Sequence, residues 1–118
     1  MKYMLLIHCT ENLNEEERQE CYAESLQLTQ ELQSQGRLLG ASPLQPASLS
    51  TCVQVRQGKR LVTDGPFAET REQLGGYFLV EARDLNEAIA IAARIPVART
   101  GTVEVRPLLE IPGMPSCV

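Results

Sequence analysis

Between Lys2 and His8 the chain is apolar at nearly every position: Tyr3, Leu5 and Ile7 fall on one face of an extended strand, Met4, Leu6 and His8 on the other. A strand with little polar character on either face is buried on both sides, so it is expected near the middle of a sheet. The period then changes. Asn12 or Asn14 can cap a helix, and Glu15 to Glu17 suit the positive end of its dipole. Behind them Cys21, Ser25, Leu28 and Leu32, flanked by Tyr22, Leu26 and Thr29, form an inward stripe at helical spacing. This helix is predicted to run to about Gln35 and to stop at Gly36, as glycine does at a C′ position.

Arg37 to Ala41 reads as a second strand, and the loop "SPLQPASLS" after it carries prolines and serines that argue against regular pairing. Thr51 to Arg56 and Lys59 to Thr63 are strand-like runs about Gln57-Gly58, the pattern of a β-hairpin. Gly76 to Ala82 is the next strand. Asp84 with Glu87 three residues on opens a second helix carrying Leu85, Ala88, Ile89, Ala92 and Ile95, and Pro96 closes it. Thr102 to Leu108 is the last strand; residues 109–118 are expected to be a loose tail beyond a domain of residues 1–108. With the hairpin set aside as an insertion, the order is strand, helix, strand, strand, helix, strand. That is the split βαβ arrangement of a ferredoxin-like α+β fold, an antiparallel sheet with both helices on one face. The helix-free face would then carry apolar side chains in the open, and a second copy laid sheet to sheet, an isologous dimer, is the simplest cover for it.

Bulk properties narrow the classes. A chain of 118 residues, 43% hydrophobic and 22% charged, is one globular domain, and its five aromatics leave the core aliphatic. A net charge of −4 and a pI near 5.0 argue against direct nucleic-acid binding, which needs cations along a groove. The opening "MKYMLLIHCTE" is too short in its apolar run, and too quickly acidic, for a secretory signal, and no stretch is long enough to span a bilayer. Cys9, Cys21, Cys52 and Cys117 are scattered without a close pair, which favours reduced thiols and a cytoplasmic setting. No metal site is expected, since His8 is the sole histidine and the cysteines lack ligand spacing. Gly75-Gly76 opens a strand and no helix follows it, so it marks a bulge or a close backbone approach and no nucleotide loop; no cofactor is expected.

The segment "DGPF", Asp64 to Phe67, holds the densest candidate chemistry. Pro66 lacks an N–H and pushes Gly65 out of the helical region, so the chain must turn sharply. Asp64 can pin the corner by accepting from the N–H of Phe67 or Ala68, or present its carboxylate to a neighbouring cleft. His8, at the tip of the first strand, can meet Asp64 there as an acid–base pair, or be no more than a packed residue. Phe67 can cover a pocket mouth or tuck into the core. Tyr77, Glu104 and Arg106 can line the open face, the last two also forming ion pairs between subunits. Ser25 can face a pocket between helix and sheet, or relieve crowding there. Glu69, Arg71 and Glu72 read as a solvated loop or a lid.

The run "VTDGPFAETREQLGGYFLVEARDLNEAIAIAARIP", with "MKYMLLI", "GRLLGASPLQP" and "GTVEVRPL", closely resembles the YCII-related family in its DGPF-domain branch, over almost the whole chain. The resemblance implies the dimeric α/β-barrel form of the ferredoxin-like fold and an association with extracytoplasmic-function sigma factors. One departure stands out. Relatives with an elimination-type activity resemble one another in a histidine on the first helix, and alignment on "GRLL" puts Ser25 there, which cannot take up a proton near neutral pH. Two readings follow. One is a ligand-binding or accessory dimer, with Ser25, Phe67, Tyr77 and Arg106 as candidate contacts. The other is a cofactor-independent enzyme using Asp64 and His8 on a small organic molecule.

Overall fold

A computed structural model describes residues 1–115; Cys117 and the end of the expected tail lie outside the described residues. The elements run β1 Lys2–Cys9, α1 Glu15–Ser34, β2 Leu38–Pro43, β3 Thr51–Arg56, β4 Lys59–Asp64, β5 Gln73–Glu81, α2 Leu85–Ala93 and β6 Thr102–Pro107, with short 3-10 turns at Ala47–Leu49 and Pro96–Arg99. Four strands form one antiparallel sheet in the order β2-β5-β1-β6, so β1 and β5 are its central strands. The expected α+β, ferredoxin-like architecture is therefore present, with β3 and β4 as a separate two-stranded insertion.

Local chemistry sets the helix ends. Asn14 is the cap of α1: its side chain accepts from the N–H of Glu17 at 2.8 Å. Gly36, at φ 72°, ends the helix in a Schellman arrangement, with Arg37 N–H on Leu32 O at 2.9 Å and Gly36 N–H on Gln33 O at 3.0 Å. At α2, Asp84 accepts from the N–H of Glu87, while the Glu87 carboxylate reaches back one residue further than in an ordinary capping box, to Arg83 N–H at 3.1 Å.

The core lies between the sheet and the helices. Facing residues share a side of the sheet, so the register puts Tyr3 opposite Val80 and Leu5 opposite Phe78 and Val105. They are buried against Leu28, Leu32, Ala88, Ile91 and Ile95. The other face carries Met4 opposite Leu79 and Arg106, and Leu6 opposite Tyr77 and Glu104, with no helix above it.

Several boundaries differ from the sequence pattern; α2, for one, ends at Ala93, so Ile95 caps and Pro96 opens the 3-10 turn that follows it, and neither belongs to the helix. β2 continues through Ser42 and Pro43, which pair with Tyr77 and Gly76. Being an edge strand, it tolerates a proline whose missing N–H would break a central ladder. β5 begins three residues before Gly76, because β1 runs on to Cys9 and pairs with Gln73 across an irregularity between Ile7 and His8. β4 takes in Asp64, paired opposite Thr51.

The β3–β4 hairpin stands apart as an arm. Gln57 (φ 52°) and Gly58 (φ 76°) form the two-residue turn with both φ positive that matches strand twist. The radius of gyration is 16.0 Å, against about 13.5 Å for a compact domain of this length.

Helix α1 is fastened by charge. Arg99 grips Glu24 in a fork at 2.9 Å on both arms, and Arg94 pairs with Glu31. The Arg99 guanidinium, through its hydrogen bonds first, holds the Glu24 carboxyl below its ordinary value of 4.5. A lowered folded-state value stabilises above the unfolded value and is lost as pH falls through it. Wild type is therefore expected to exceed Glu24→Gln in urea midpoint near neutral pH, with the gap closing as pH drops below about 4.5. Urea titrations of both proteins across that range check it; a gap independent of pH would contradict the ion pair.

Candidate functional site: a cavity beneath helix α1

Only the C-terminal half of α1 seats on the sheet. Leu28 and Leu32 are buried, whereas Cys21 and Ser25 of the same stripe are half-exposed and Tyr22 and Leu26 are exposed. The cause lies opposite. Gly75 and Gly76 on β5 and Ala41 on β2 present almost no side chain to the helix, and a cavity of about 630 Å³ opens between them. That is within the common size range of small-molecule sites.

Gly76 leaves no alternative at this point. A Cβ on Gly76 would lie 2.9 Å from Ser42 O and 3.2 Å from Pro43 Cα, both backbone, and one on Gly75 would lie 2.7 Å from Cys9 Sγ. Gly75 is the extra residue of the β1–β5 irregularity, since Ile7 faces Gly76 and His8 faces Leu74. The expected bulge and close backbone approach are both there, and together they form the cavity floor.

The walls are Ile7, Cys9, Cys21, Ser25, Thr29 and Phe78, with Tyr22, Leu26 and Leu44 also lining the space. Two charged residues border it, and each is already engaged. Glu11 accepts from Ala47 N–H at 2.8 Å; Arg18 donates to Glu15 at 3.1 Å and to Leu13 O at 3.0 Å. Burial, then the nearby Glu11, pushes the Cys9 thiol above its ordinary value, so it stays protonated and is a poor nucleophile at neutral pH. Among the described residues, no group of three or more His, Cys, Asp and Glu side chains is placed to hold a metal ion.

Of the residues singled out from the sequence, Ser25 lines this cavity and the others lie elsewhere. His8 hydrogen-bonds Glu104, Nε2 to Oε1 at 3.1 Å, in a shallow depression with Thr10, Thr70, Arg71, Glu72, Thr100 and Thr102. Glu104 also pairs with Arg106. The arginine, and then His8, hold the Glu104 carboxyl below its ordinary value. The carboxylate beside His8 is thus Glu104 and not Asp64, which sits at the end of the arm. The cross-strand register explains the substitution: His8 pairs with Thr102 and Leu6 with Glu104, so Glu104 sits one diagonal step from His8.

The turn at Asp64 is also built differently from expectation. Gly65 N–H donates to Ser50 O at 2.7 Å, Cys52 Sγ to Gly65 O at 3.3 Å, and Gly65 has φ 99°. The Asp64 carboxylate is exposed and makes no hydrogen bond among the described residues. Phe67 is 88% exposed and covers neither core nor cavity. Tyr77 and Arg106 share the helix-free face with Met4 and Leu6. The sequence signal for the cavity was the Gly75-Gly76 pair, facing a helical stripe that turns from leucine to cysteine and serine.

Two substitutions separate these roles. Asp64→Ala is expected to shift stability by less than about 0.5 kcal/mol, as for an unbonded surface side chain; a larger loss in urea melts would restore the turn-pinning role. Gly76→Ala must displace backbone of β2 and is expected to cost about 1–3 kcal/mol. A neutral Gly76→Ala would mean that the β2–β5 contact is looser than its geometry.

A profile of the YCII-related domain matches residues 1–112. An uncharacterized protein of Rhizobium meliloti (strain 1021) is 40% identical over 75 residues, covering 62% of this chain and 60% of that protein. The shared region thus spans about three fifths of the relative's length. A match over nearly the whole chain settles the kinship: the chain belongs to the YCII-related domain family.

Proposed function

We propose that this protein binds a small, neutral and largely apolar molecule in the cavity beneath α1, and acts through that binding and not through catalysis. One observation carries the reading: a formed cavity of about 630 Å³ whose two bordering charged residues are already engaged and whose Cys9 thiol is held protonated. Such a lining offers dispersion contacts and a few hydroxyls (Ser25, Thr29, Ser42) to orient a ligand. Nothing in the lining pairs a base with a nucleophile. Ser25, at the position where eliminating relatives are expected to carry histidine, supports the same conclusion.

The binding form we infer is a homodimer. The half-buried Met4, Leu6 and Tyr77, around the buried Leu79, make the helix-free face apolar at its centre, with Glu104 and Arg106 beside them. Laying two such faces together removes this surface from water. The accessory role in sigma-factor regulation rests on the family resemblance alone. Co-expression with a cognate extracytoplasmic-function sigma factor tests it, and two proteins that elute separately would remove it.

A second reading, acid–base chemistry on a small organic molecule, is favoured by the His8–Glu104 pair at 3.1 Å in its own depression. There His8 would move the proton while Glu104, kept ionised by Arg106, orients the ring.

Titration with a neutral apolar fluorophore such as N-phenyl-1-naphthylamine discriminates. Ser25→Phe fills the cavity and is expected to weaken dye binding at least roughly tenfold, since a rigid pocket does not accommodate both ring and ligand. Its urea midpoint is expected to hold. Full binding by Ser25→Phe would overturn the cavity assignment. Turnover of any small substrate that is lost in His8→Gln and kept in Ser25→Phe would select the second reading.

A further inference from the structure

The β3–β4 arm carries an apolar face that the chain itself leaves open. Register divides the arm in two. Thr51 stands opposite Asp64, Val53 opposite Val62 and Val55 opposite Arg60 on one face, while Cys52, Gln54, Leu61 and Thr63 belong to the other. On the first face Val53, Val55 and Val62 are 59%, 62% and 57% exposed, although valine is an ordinary core residue. On the second, Cys52 is half-buried and donates to Gly65 O. A lone two-stranded hairpin is at best marginally stable in water and needs a further layer against its apolar face.

Charge on the open face follows a simple order. Near the tip Arg60 lies beside Val55, in the middle Val53 meets Val62, and at the base Asp64 lies beside Thr51. The face is thus a cation, an apolar centre and a carboxylate in line. Asp64 is the sole carboxylate among residues 51–64. Arg60 and Asp64 are both exposed, and neither has a hydrogen bond or ion pair among the described residues. They are four positions apart on one strand, about 13 Å at the rise of a strand, too far to pair within one arm.

A two-fold contact needs a patch that complements itself, and this face does so in one orientation. We propose that the arms of two copies dock valine face to valine face, with tips pointing opposite ways and β4 lying over β4. Val53 and Val62 then meet the same valines of the second copy, and Arg60 of each copy sits over Asp64 of the other. With tips pointing the same way, cations would gather at one end and carboxylates at the other, so charge selects the opposed arrangement. The result is a small two-layer sandwich, which supplies the layer that each hairpin lacks. Six residues a side is far below the roughly 20–30 of a standard interface, so the contact is weak on its own. It adds to the sheet-face dimer described above or joins one such dimer to another. It uses no residue of α1 or of the cavity and does not rest on the ligand-binding reading.

Cross-linking at low ionic strength tests the contact. In a Cys52→Ser/Cys117→Ser background, Val62→Cys and Leu61→Cys proteins are treated with a short bismaleimide. Val62→Cys is expected to give covalent dimers roughly tenfold faster than Leu61→Cys, because position 62 meets itself across the two-fold and position 61 lies on the opposite face. Adding Arg60→Asp or Asp64→Arg to Val62→Cys sets like charges over each other at both ends and is expected to slow linkage roughly tenfold; adding both together should restore it. The two positions do not touch within one arm, so recovery arises only between copies. Salt should flatten these differences.

Equal linkage at positions 61 and 62 would report random collision and overturn the docking. Linkage at position 62 that ignores the charge variants, or that the paired variant fails to restore, overturns the opposed arrangement. Sedimentation equilibrium separates this contact from the sheet-face dimer. No linkage in a protein that still sediments as a dimer overturns arm docking alone, and no linkage in a monomer overturns both. Arm amides protected from hydrogen exchange only on phosphatidylserine vesicles, without linkage, would give the face to an anionic membrane and overturn a second copy as its occupant.

Discussion

At Gly76 the backbone of β2 comes so close to β5 that no side chain fits between them, and at Gly75 a side chain would have to displace the Cys9 thiol. A Cβ at either glycine would meet Cys9 Sγ or Ser42 O at less than 3 Å. Much follows from this steric fact. It lets β2 pair with β5 as far as Pro43, it accommodates the bulge that brings His8 opposite Leu74, and it leaves the sheet bare under the first half of α1. The helix cannot follow the sheet down into the gap, because its second half is already seated through Leu28 and Leu32. A cavity remains. It is a consequence of backbone packing more than of any residue chosen to line it.

The electrostatics of the protein keep charge away from that cavity. Glu24, Glu31 and Arg18 are occupied in exposed ion pairs that clamp α1 to the turn after α2 and close its first turn. Such pairs contribute modestly one by one. Their geometric effect is larger, since they fix the helix that forms the cavity roof. Glu11 spends its carboxylate on the Ala47 N–H, tying the Ala47–Leu49 turn to the end of β1. His8, Glu104 and Arg106 lie on β1 and β6 on the helix-free side of the sheet, away from the cavity, where a hydrogen-bonded chain of three charges or potential charges meets water. Cavity and titratable cluster are thus physically distinct.

Much of this was legible in the residues themselves. The two-faced apolar run at Lys2–His8 announced a central strand, Asn14 and Gly36 bracketed a helix, and Gln57-Gly58 marked a hairpin; the structure has all of them within a residue or two. The failures share a pattern. On sequence alone Asp64 is one candidate partner of His8, because both stand at strand ends, and the second strand is expected to stop at Ala41, before a loop whose prolines and serines argue against pairing. Neither inference could know which strand is neighbour to which. Glu104 reaches His8 only because β6 lies beside β1, and Pro43 is tolerated only because β2 is at the edge.

Taken alone, then, the sequence determined the elements, their caps and turns, and the split βαβ order, because each depends on contacts within a few residues along the chain. Tertiary structure decided what those elements do. It chose Leu28 and Leu32 over Cys21 and Ser25 as the buried part of one stripe, gave His8 its carboxylate, and left the arm uncovered. Those outcomes turn on register and strand neighbours, which bring together residues as far apart as 96 positions in the chain. No local periodicity carries information over that distance; only the packing of the whole sheet does.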